Sequence, residues 1–226
     1  MRTSVGTMGI LGGTFDPVHF GHLRLAQEVA DALALDEVRF IPGGTPPHRA
    51  TPRTSAAHRV AMVKLATADN ALFSVDERET QREGLSYTFD TLRTLRAELG
   101  AARPLVLIMG ADAFVAFHTW HRWQEIFKLA HIAVAHRPGA ALTQINDAAL
   151  AREFAQRRLN NITAVQRAPT GGIVEVPITA LDISATAIRA ALAAQRSARY
   201  LTPAAVLDYI ERNYLFLKEN YTYAAG

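Results

Sequence analysis

A chain of 226 residues with 49% hydrophobic and 20% charged residues is long enough to bury its own core, which excludes a disordered chain and fits one large domain. Lys+Arg number 24 and Asp+Glu 21, a formal net charge of +3; that modest excess suits an anionic small molecule and requires no nucleic acid. Cysteine is absent, which excludes disulfide frameworks, thiolate zinc sites and a cysteine nucleophile, and fits a reducing cytoplasm. The apolar stretch near the N-terminus is short and broken by Gly9, Gly12 and Gly13, so it does not read as a signal peptide. The longest apolar run, Leu105–Ala111, ends at Asp112, well short of spanning length. A cytoplasmic protein with no membrane or nucleic-acid partner is expected, and a homo-oligomer is compatible with the sequence.

Along the chain, short β-rich runs alternate with amphipathic stretches. Thr7–Leu11 reads as a strand. Gly21–Ala34 follows as a helix, with Leu23, Ala26, Ala30 and Leu33 at helical spacing. Val38–Ile41 is a second strand, then comes a Pro/Gly loop over Pro42–Pro52 and a helix over Ser55–Ala68. Leu72–Val75 is a short strand and Thr88–Leu99 a helix. Leu105–Met109 is continuously apolar, as in a strand buried on both faces of a parallel sheet. His121–Leu129 reads as helical, Ile132–Ala135 as a strand and Asn146–Leu159 as a helix. Ile173–Val176 is the last strand, and Ser184–Ala194 and Pro203–Tyr214 are terminal helices. Pro138–Asn146 and Asn160–Gly172 read as surface loops. This alternation predicts a single Rossmann-like α/β domain over residues 1–226, with a mostly parallel sheet, helices on both faces and the C-terminal helices of 184–217 packed on it. Ligands in such sheets bind at the carboxyl ends of the strands.

Two segments at those ends carry chemistry. The first is Gly12-Gly13-Thr14-Phe15-Asp16-Pro17-Val18-His19-Phe20-Gly21-His22, between the first strand and first helix. Paired glycines let a ligand approach the backbone closely. His19 and His22 flank Gly21, and at a helix N-terminus that spacing aims both imidazoles where free N–H groups converge and phosphate binds. An ordinary turn whose histidines cap the helix, or a metal site built from Asp16, His19 and His22, are the competing readings; nothing resembles His-Glu-x-x-His. A Walker A pattern and a G-x-G-x-x-G are both missing, which speaks against a P-loop kinase and a dehydrogenase. The second segment, Ile183-Ser184-Ala185-Thr186-Ala187-Ile188-Arg189, follows the last strand. Ser184 is a good N-cap, and Thr186 and Arg189 lie within a turn of it, a set that clamps polyphosphate. Alone it also reads as a plain capped helix with a solvent-facing arginine.

Gly-Thr-Phe-Asp-Pro-Val-His-x-Gly-His with a late Ile-Ser-Ala-Thr-x-Ile-Arg resembles the His-x-Gly-His nucleotidyltransferase superfamily. Within it, the chain is similar to the bacterial nicotinate-mononucleotide adenylyltransferases over nearly its whole length. The similarity runs through Ile41-Pro42, Pro46-Pro47-His48-Arg49, Ser86-Tyr87-Thr88, Gly110-Ala111-Asp112, Trp120 and His136-Arg137-Pro138-Gly139. The resemblance implies transfer of an adenylyl group from ATP to nicotinate mononucleotide, with Mg²⁺ bridging the triphosphate and no covalent intermediate. It implies catalytic roles for His19, His22 and Arg189, and ATP contacts from Gly12, Gly13, Thr14, Phe15, Ile183, Ser184 and Thr186. His48, Arg49, Tyr87, Thr88, Asp112, Trp120 and Arg137 are implied on the acceptor side, Trp120 stacking on the pyridine ring. No protein ligand to the metal is expected. His121 departs from the family, where an aromatic often follows the stacking tryptophan; a cationic His121 is expected to favour an acceptor carboxylate. Nicotinamide mononucleotide or phosphopantetheine as acceptor, and a nucleotide-binding protein without turnover, are the alternatives.

Overall fold

The computed structural model describes residues 6–44, 52–137, 145–179 and 181–217. Among these residues six strands, β1 (Met8–Gly13), β2 (Glu37–Pro42), β3 (Phe73–Val75), β4 (Leu105–Gly110), β5 (His131–His136) and β6 (Ile173–Pro177), lie in the order β3-β2-β1-β4-β5-β6. Every neighbouring pair is parallel, so the sheet is wholly rather than mostly parallel. Parallel neighbours need crossovers, which include α1 (Phe20–Leu33), α2 (Ala56–Thr67) and α3 (Thr88–Leu99). The chain winds outward from β1 to β3, returns, and starts again at β4 beside β1. That reversal opens a crevice at the carboxyl ends of β1 and β4.

Period-two alternation divides the core into two layers. Leu105, Leu107 and Met109 of β4 pack with Phe89, Leu92 and Leu95 of α3 on one face of the sheet. Val106 and Ile108 join Ala26, Val29 and Leu33 of α1 and Met62 and Val63 of α2 on the other. Covering both faces is what makes β4 apolar throughout. Each fully buried leucine or valine contributes about 1.5–3 kcal/mol relative to exposure.

The remaining helices are α4 (Ala111–Val115), α5 (Trp123–Ile126), α6 (Ala148–Arg157), α7 (Ile162–Arg167), α8 (Ala185–Ala193) and α9 (Ala204–Arg212), with a 3₁₀ turn at Phe117–Thr119. Three differ from the sequence reading. The single helix expected over His121–Leu129 is only α5, because Arg122 sits in the left-handed region at φ 54 and breaks the run. A short α4, unforeseen, follows β4. The expected loop Asn160–Gly172 contains α7, capped by Asn161, whose side chain accepts from the Ala164 N–H at 2.9 Å, and anchored by buried Val165. Strand β1 also runs two residues further than expected, so Gly12 and Gly13 pair with Ile41 and Pro42 inside the sheet. Residues 138–144 of the expected loop Pro138–Asn146 lie outside the described residues.

The C-terminal helices pack on this frame. Val206 and Ile210 of α9 join the α1/α2 core layer, and Tyr209 Oη meets His58 Nδ1 of α2 at 2.9 Å. Ile188 of α8 packs with Ala198 and Leu207. Among the described residues no helix is long and apolar enough to cross a membrane.

Candidate active site

The crevice predicted by the strand order is a cleft of about 330 Å³ lined from both sides of the β1/β4 reversal. Its first wall is the turn between β1 and α1. Gly12, Gly13, Thr14 and His22 line it. Phe15 takes the left-handed conformation at φ 52, a costly one for a non-glycine residue. Its ring is held by packing: it meets His22 edge-on at 5.0 Å and lies 5.8 Å from Phe40. A Cβ on Gly13 would stand 2.9 Å from that ring, so the second glycine is needed for Phe15 to fold beneath it.

His19 is the N-cap of α1, one residue earlier than the expected helix start allowed. Its main-chain N–H donates to His22 Nδ1 at 3.3 Å, so the neutral His22 ring carries its proton on Nε2. The capping reading is therefore true of one nitrogen, and the other is left over. The two rings stack with centroids 3.7 Å apart and 31° between planes. Gly21 makes this approach feasible, since a Cβ there would stand 2.9 Å from His19 Nδ1. Burial pushes the His19 pKa down to about 4. Burial, and then the neighbouring His19, push His22 down to about 3. Both rings are neutral hydrogen-bond donors near pH 7, and a bound anion would draw their pKa values upward.

Asp16 faces elsewhere. Its carboxylate accepts from the Arg53 N–H at 2.7 Å and from Thr54 Oγ1 at 2.6 Å. Arg59, 2% exposed, lies beneath the same turn and donates to the Thr14 carbonyl at 2.9 Å. Among the described residues no group of three His, Cys, Asp or Glu is placed to hold a metal ion, and the Asp16–His19–His22 metal reading is not what this turn builds.

The late segment arrives at the same turn. Ser184 caps α8, its Oγ accepting from the Ala187 N–H at 3.1 Å. Arg189 is half-buried; Nη1 donates to the Asp16 carbonyl at 2.6 Å and Nη2 to Thr186 Oγ1 at 3.2 Å. The Ile183 carbonyl lies 3.6 Å from where a Gly21 Cβ would be. Arg189 is thus fixed against the histidine turn and is not the solvent-facing arginine of an isolated capped helix.

Tyr87, Thr88 and Trp120 form the opposite wall. Tyr87 is the N-cap of α3 and Thr88 its first residue. Trp120 is half-buried and packs edge-on to Phe117 at 5.4 Å. His121 also lines the cleft, its ring 4.4 Å from that of Tyr87. Asp112 and Arg137 are exposed and are not among the lining residues, although Gly110 and Ala113 on either side of Asp112 are. His48 and Arg49 lie outside the described residues.

Glu79 escaped the sequence reading. It lines the cleft, accepts from Thr91 Oγ1 at 2.7 Å, and burial raises its pKa above the usual carboxylate value. A Cβ on Gly44 would stand 2.2 Å from the Glu79 carbonyl oxygen. In sequence Glu79 ends the charged run Asp76-Glu77-Arg78-Glu79, which looks like solvated surface; the Gly43-Gly44 pair was the only hint of close packing there.

Residues 10–191 match the cytidylyltransferase-like family. A protein of Dechloromonas aromatica named a probable nicotinate-nucleotide adenylyltransferase is 53% identical over 211 residues, covering 92% of this chain and 97% of that protein. One of Pseudomonas entomophila with the same name is 48% identical over 217 residues, covering 96% and 98%. A nicotinic acid mononucleotide adenylyltransferase of Plasmodium falciparum, complexed with NaAD, shares the fold with a TM-score of 0.69 at 15% identity, covering 93% of this chain and 97% of that one. The sequence, from the glycine turn to the arginine helix, belongs to the cytidylyltransferase-like family and, within it, to the nicotinate-nucleotide adenylyltransferases.

Proposed function

We propose that the chain transfers the adenylyl group of ATP to nicotinate mononucleotide, releasing pyrophosphate and forming nicotinate adenine dinucleotide, a step of NAD biosynthesis. The observation that carries this is a single cleft joining two chemically different walls. One presents the neutral imidazole of His22, with His19 stacked on it and Arg189 bonded to the same turn from outside the cleft's lining; the other presents aromatic and hydroxyl groups, Trp120, Tyr87 and Thr88. The first suits a triphosphate and the second a pyridine nucleotide.

The reaction needs no enzyme nucleophile. An oxygen of the acceptor phosphate attacks the α-phosphorus of ATP, the new P–O bond forms, and the bond to the β-phosphate oxygen breaks in line. His19 and His22 donate to oxygens around the transferring phosphorus, while Ser184, Thr186 and Arg189 hold the outer phosphates that leave. Catalysis then rests on orientation and on stabilising charge as it moves toward pyrophosphate. Gly12, Gly13, Thr14 and Phe15 shape the turn beneath the nucleotide. Mg²⁺ bound to ATP would offset negative charge on the phosphates. The phosphate wall is made of donors, a set that takes phosphate oxygens and leaves Mg²⁺ to the phosphates and water. Trp120 stacks on the pyridine ring and Thr88 donates to its carboxylate. His48, Arg49, Asp112 and Arg137 remain acceptor-side candidates by resemblance. We place the reaction in the cytoplasm, in keeping with a chain that has no cysteine.

Pyrophosphate release from ATP and Mg²⁺ with nicotinate mononucleotide, nicotinamide mononucleotide and phosphopantetheine in parallel tests this reading. Strong preference for the first is expected. Preference for another acceptor overturns the Thr88/Trp120 pocket, and release with none overturns the enzyme.

A further inference from the structure

A buried polar contact that the mechanism leaves unused flanks the residue on which the chemistry rests. Thr202 lies between α8 and α9, 2% exposed. Its hydroxyl donates to the carbonyl of Val18 at 2.8 Å, across 184 residues of sequence. Next to it, the Leu201 carbonyl accepts from the N–H of Phe20 at 3.0 Å. These two bonds fasten the main chain on either side of His19.

His19 needs such fastening. Its ring nitrogen Nδ1 gives no anchor, being buried without a hydrogen-bond partner among the described residues. The ring is located by stacking on His22 and by whatever fixes its backbone. The fold also supports the earlier part of the turn, through Arg59 on Thr14, the Arg53–Thr54 pair on the Asp16 carboxylate and Arg189 on the Asp16 carbonyl. All of these act before Pro17, so none reaches the residues adjoining His19. Among the described residues, the hydrogen bonds that hold 18 and 20 from another segment come from Thr202 and Leu201. Nothing in the local sequence announces this, because Thr202 sits in an unremarked Leu-Thr-Pro turn.

We propose that Thr202 is a positioning residue for His19, and that the segment joining α8 to α9 acts as a brace holding the histidine turn in register with its phosphate. Thr202 touches no substrate. It acts through the Val18 carbonyl, and its contribution appears in the rate of the chemical step more than in substrate affinity. The inference rests on the proposed role of His19.

The test compares Thr202→Val, which keeps the shape and removes the donor, with Thr202→Ser, which keeps the donor. Tyr209→Phe is the control: it removes the α9 hydroxyl that meets His58 and loosens the same C-terminal region without touching the turn. Thr202→Val is expected to lose about tenfold in kcat with KM for ATP and acceptor within twofold of wild type. Thr202→Ser should recover most of kcat, and Tyr209→Phe should lower Tm with kcat retained. Thr202→Ala serves the same comparison if the valine variant does not fold. NMR signals of the His19 ring provide a reading without turnover, and they should move in Thr202→Val and stay in Tyr209→Phe. Full kcat and unmoved His19 signals in a folded Thr202→Val overturn the brace, as does an equal loss of kcat in Tyr209→Phe. If wild-type protein turns over no acceptor, the functional reading fails instead, while the NMR comparison still decides whether Thr202 positions His19.

Discussion

Gly21→Ala separates stability from activity with one methyl group. Gly21 lies in the first turn of α1 with a backbone that alanine can adopt. Alanine is favoured over glycine in a helix by up to about 1 kcal/mol, which offsets much of the cost of crowding a buried ring, so stability should change little. The added Cβ, however, would stand 2.9 Å from His19 Nδ1 and 3.0 Å from Cε1. Ordinary contact begins near 3.4 Å, so the ring must retreat by about half an ångström or turn. His19 is 6% exposed and already stacked on His22, which leaves it little room to relax without leaving its aim. Displacements of about 1 Å at a reacting group cost on the order of 10²-fold, so a fall of about 10- to 100-fold in kcat is expected. Thermal unfolding and pyrophosphate release, measured on one preparation, check both halves. A variant about as stable as wild type with turnover within threefold would refute the claim that the His19 ring position limits the reaction.

Further outcomes follow from the same geometry. His19→Ala should fold normally and lose about 10²–10³ in turnover, the usual loss for one aimed donor at a charge-developing centre; steady-state kinetics and a thermal melt decide it. Arg189→Lys should raise KM for ATP, because an ammonium cannot bond the Asp16 carbonyl, Thr186 and a phosphate in one plane; an unchanged ATP dependence would remove Arg189 from the site. Stability should fall with acid before the carboxylates titrate. His19, His22 and His131 are held neutral in the fold, all three chiefly by burial. A folded pKa below the unfolded value near 6.5 means the unfolded chain binds more protons, so this stability is full above about pH 6.5 and lost as pH falls toward the folded values. For His19, with a folded pKa of about 4, the loss between pH 6.5 and 5 is about 2 kcal/mol. Denaturant midpoints that do not move between pH 7.5 and 5 would contradict it.

What could be read from the sequence was whatever depends on local order or periodicity. The apolar run of β4, the helical spacing of α1 and the two motifs at strand ends all reported real features, because burial on both faces and close approach to a turn constrain residue type directly. Misreadings came where tertiary context or one backbone angle decides. Arg122 in the left-handed region sits before α5 as its N-cap and cuts off the start of a helix that composition favoured. Asn161 started one in a polar stretch, through a cap that resembles any loop asparagine. Glu79 and Thr202 were invisible for a different reason. Their significance comes from partners 12 and 184 residues away, and a single residue's identity carries no record of such distances.

The bond between Arg189 and the Asp16 carbonyl has a consequence for how ATP is held. A free arginine side chain carries about 2 kcal/mol of rotamer entropy, which a ligand must normally overcome to fix it. Here two donors of the guanidinium are already engaged, on Asp16 and Thr186, and the fork retains others for a phosphate. The ordering cost falls on folding rather than on binding, so the nucleotide meets an arginine already immobilised. Affinity for ATP should therefore depend on the shape of the turn at Asp16, and on Thr186 beyond its own contact with phosphate. Loosening either would appear as an entropic loss in calorimetry.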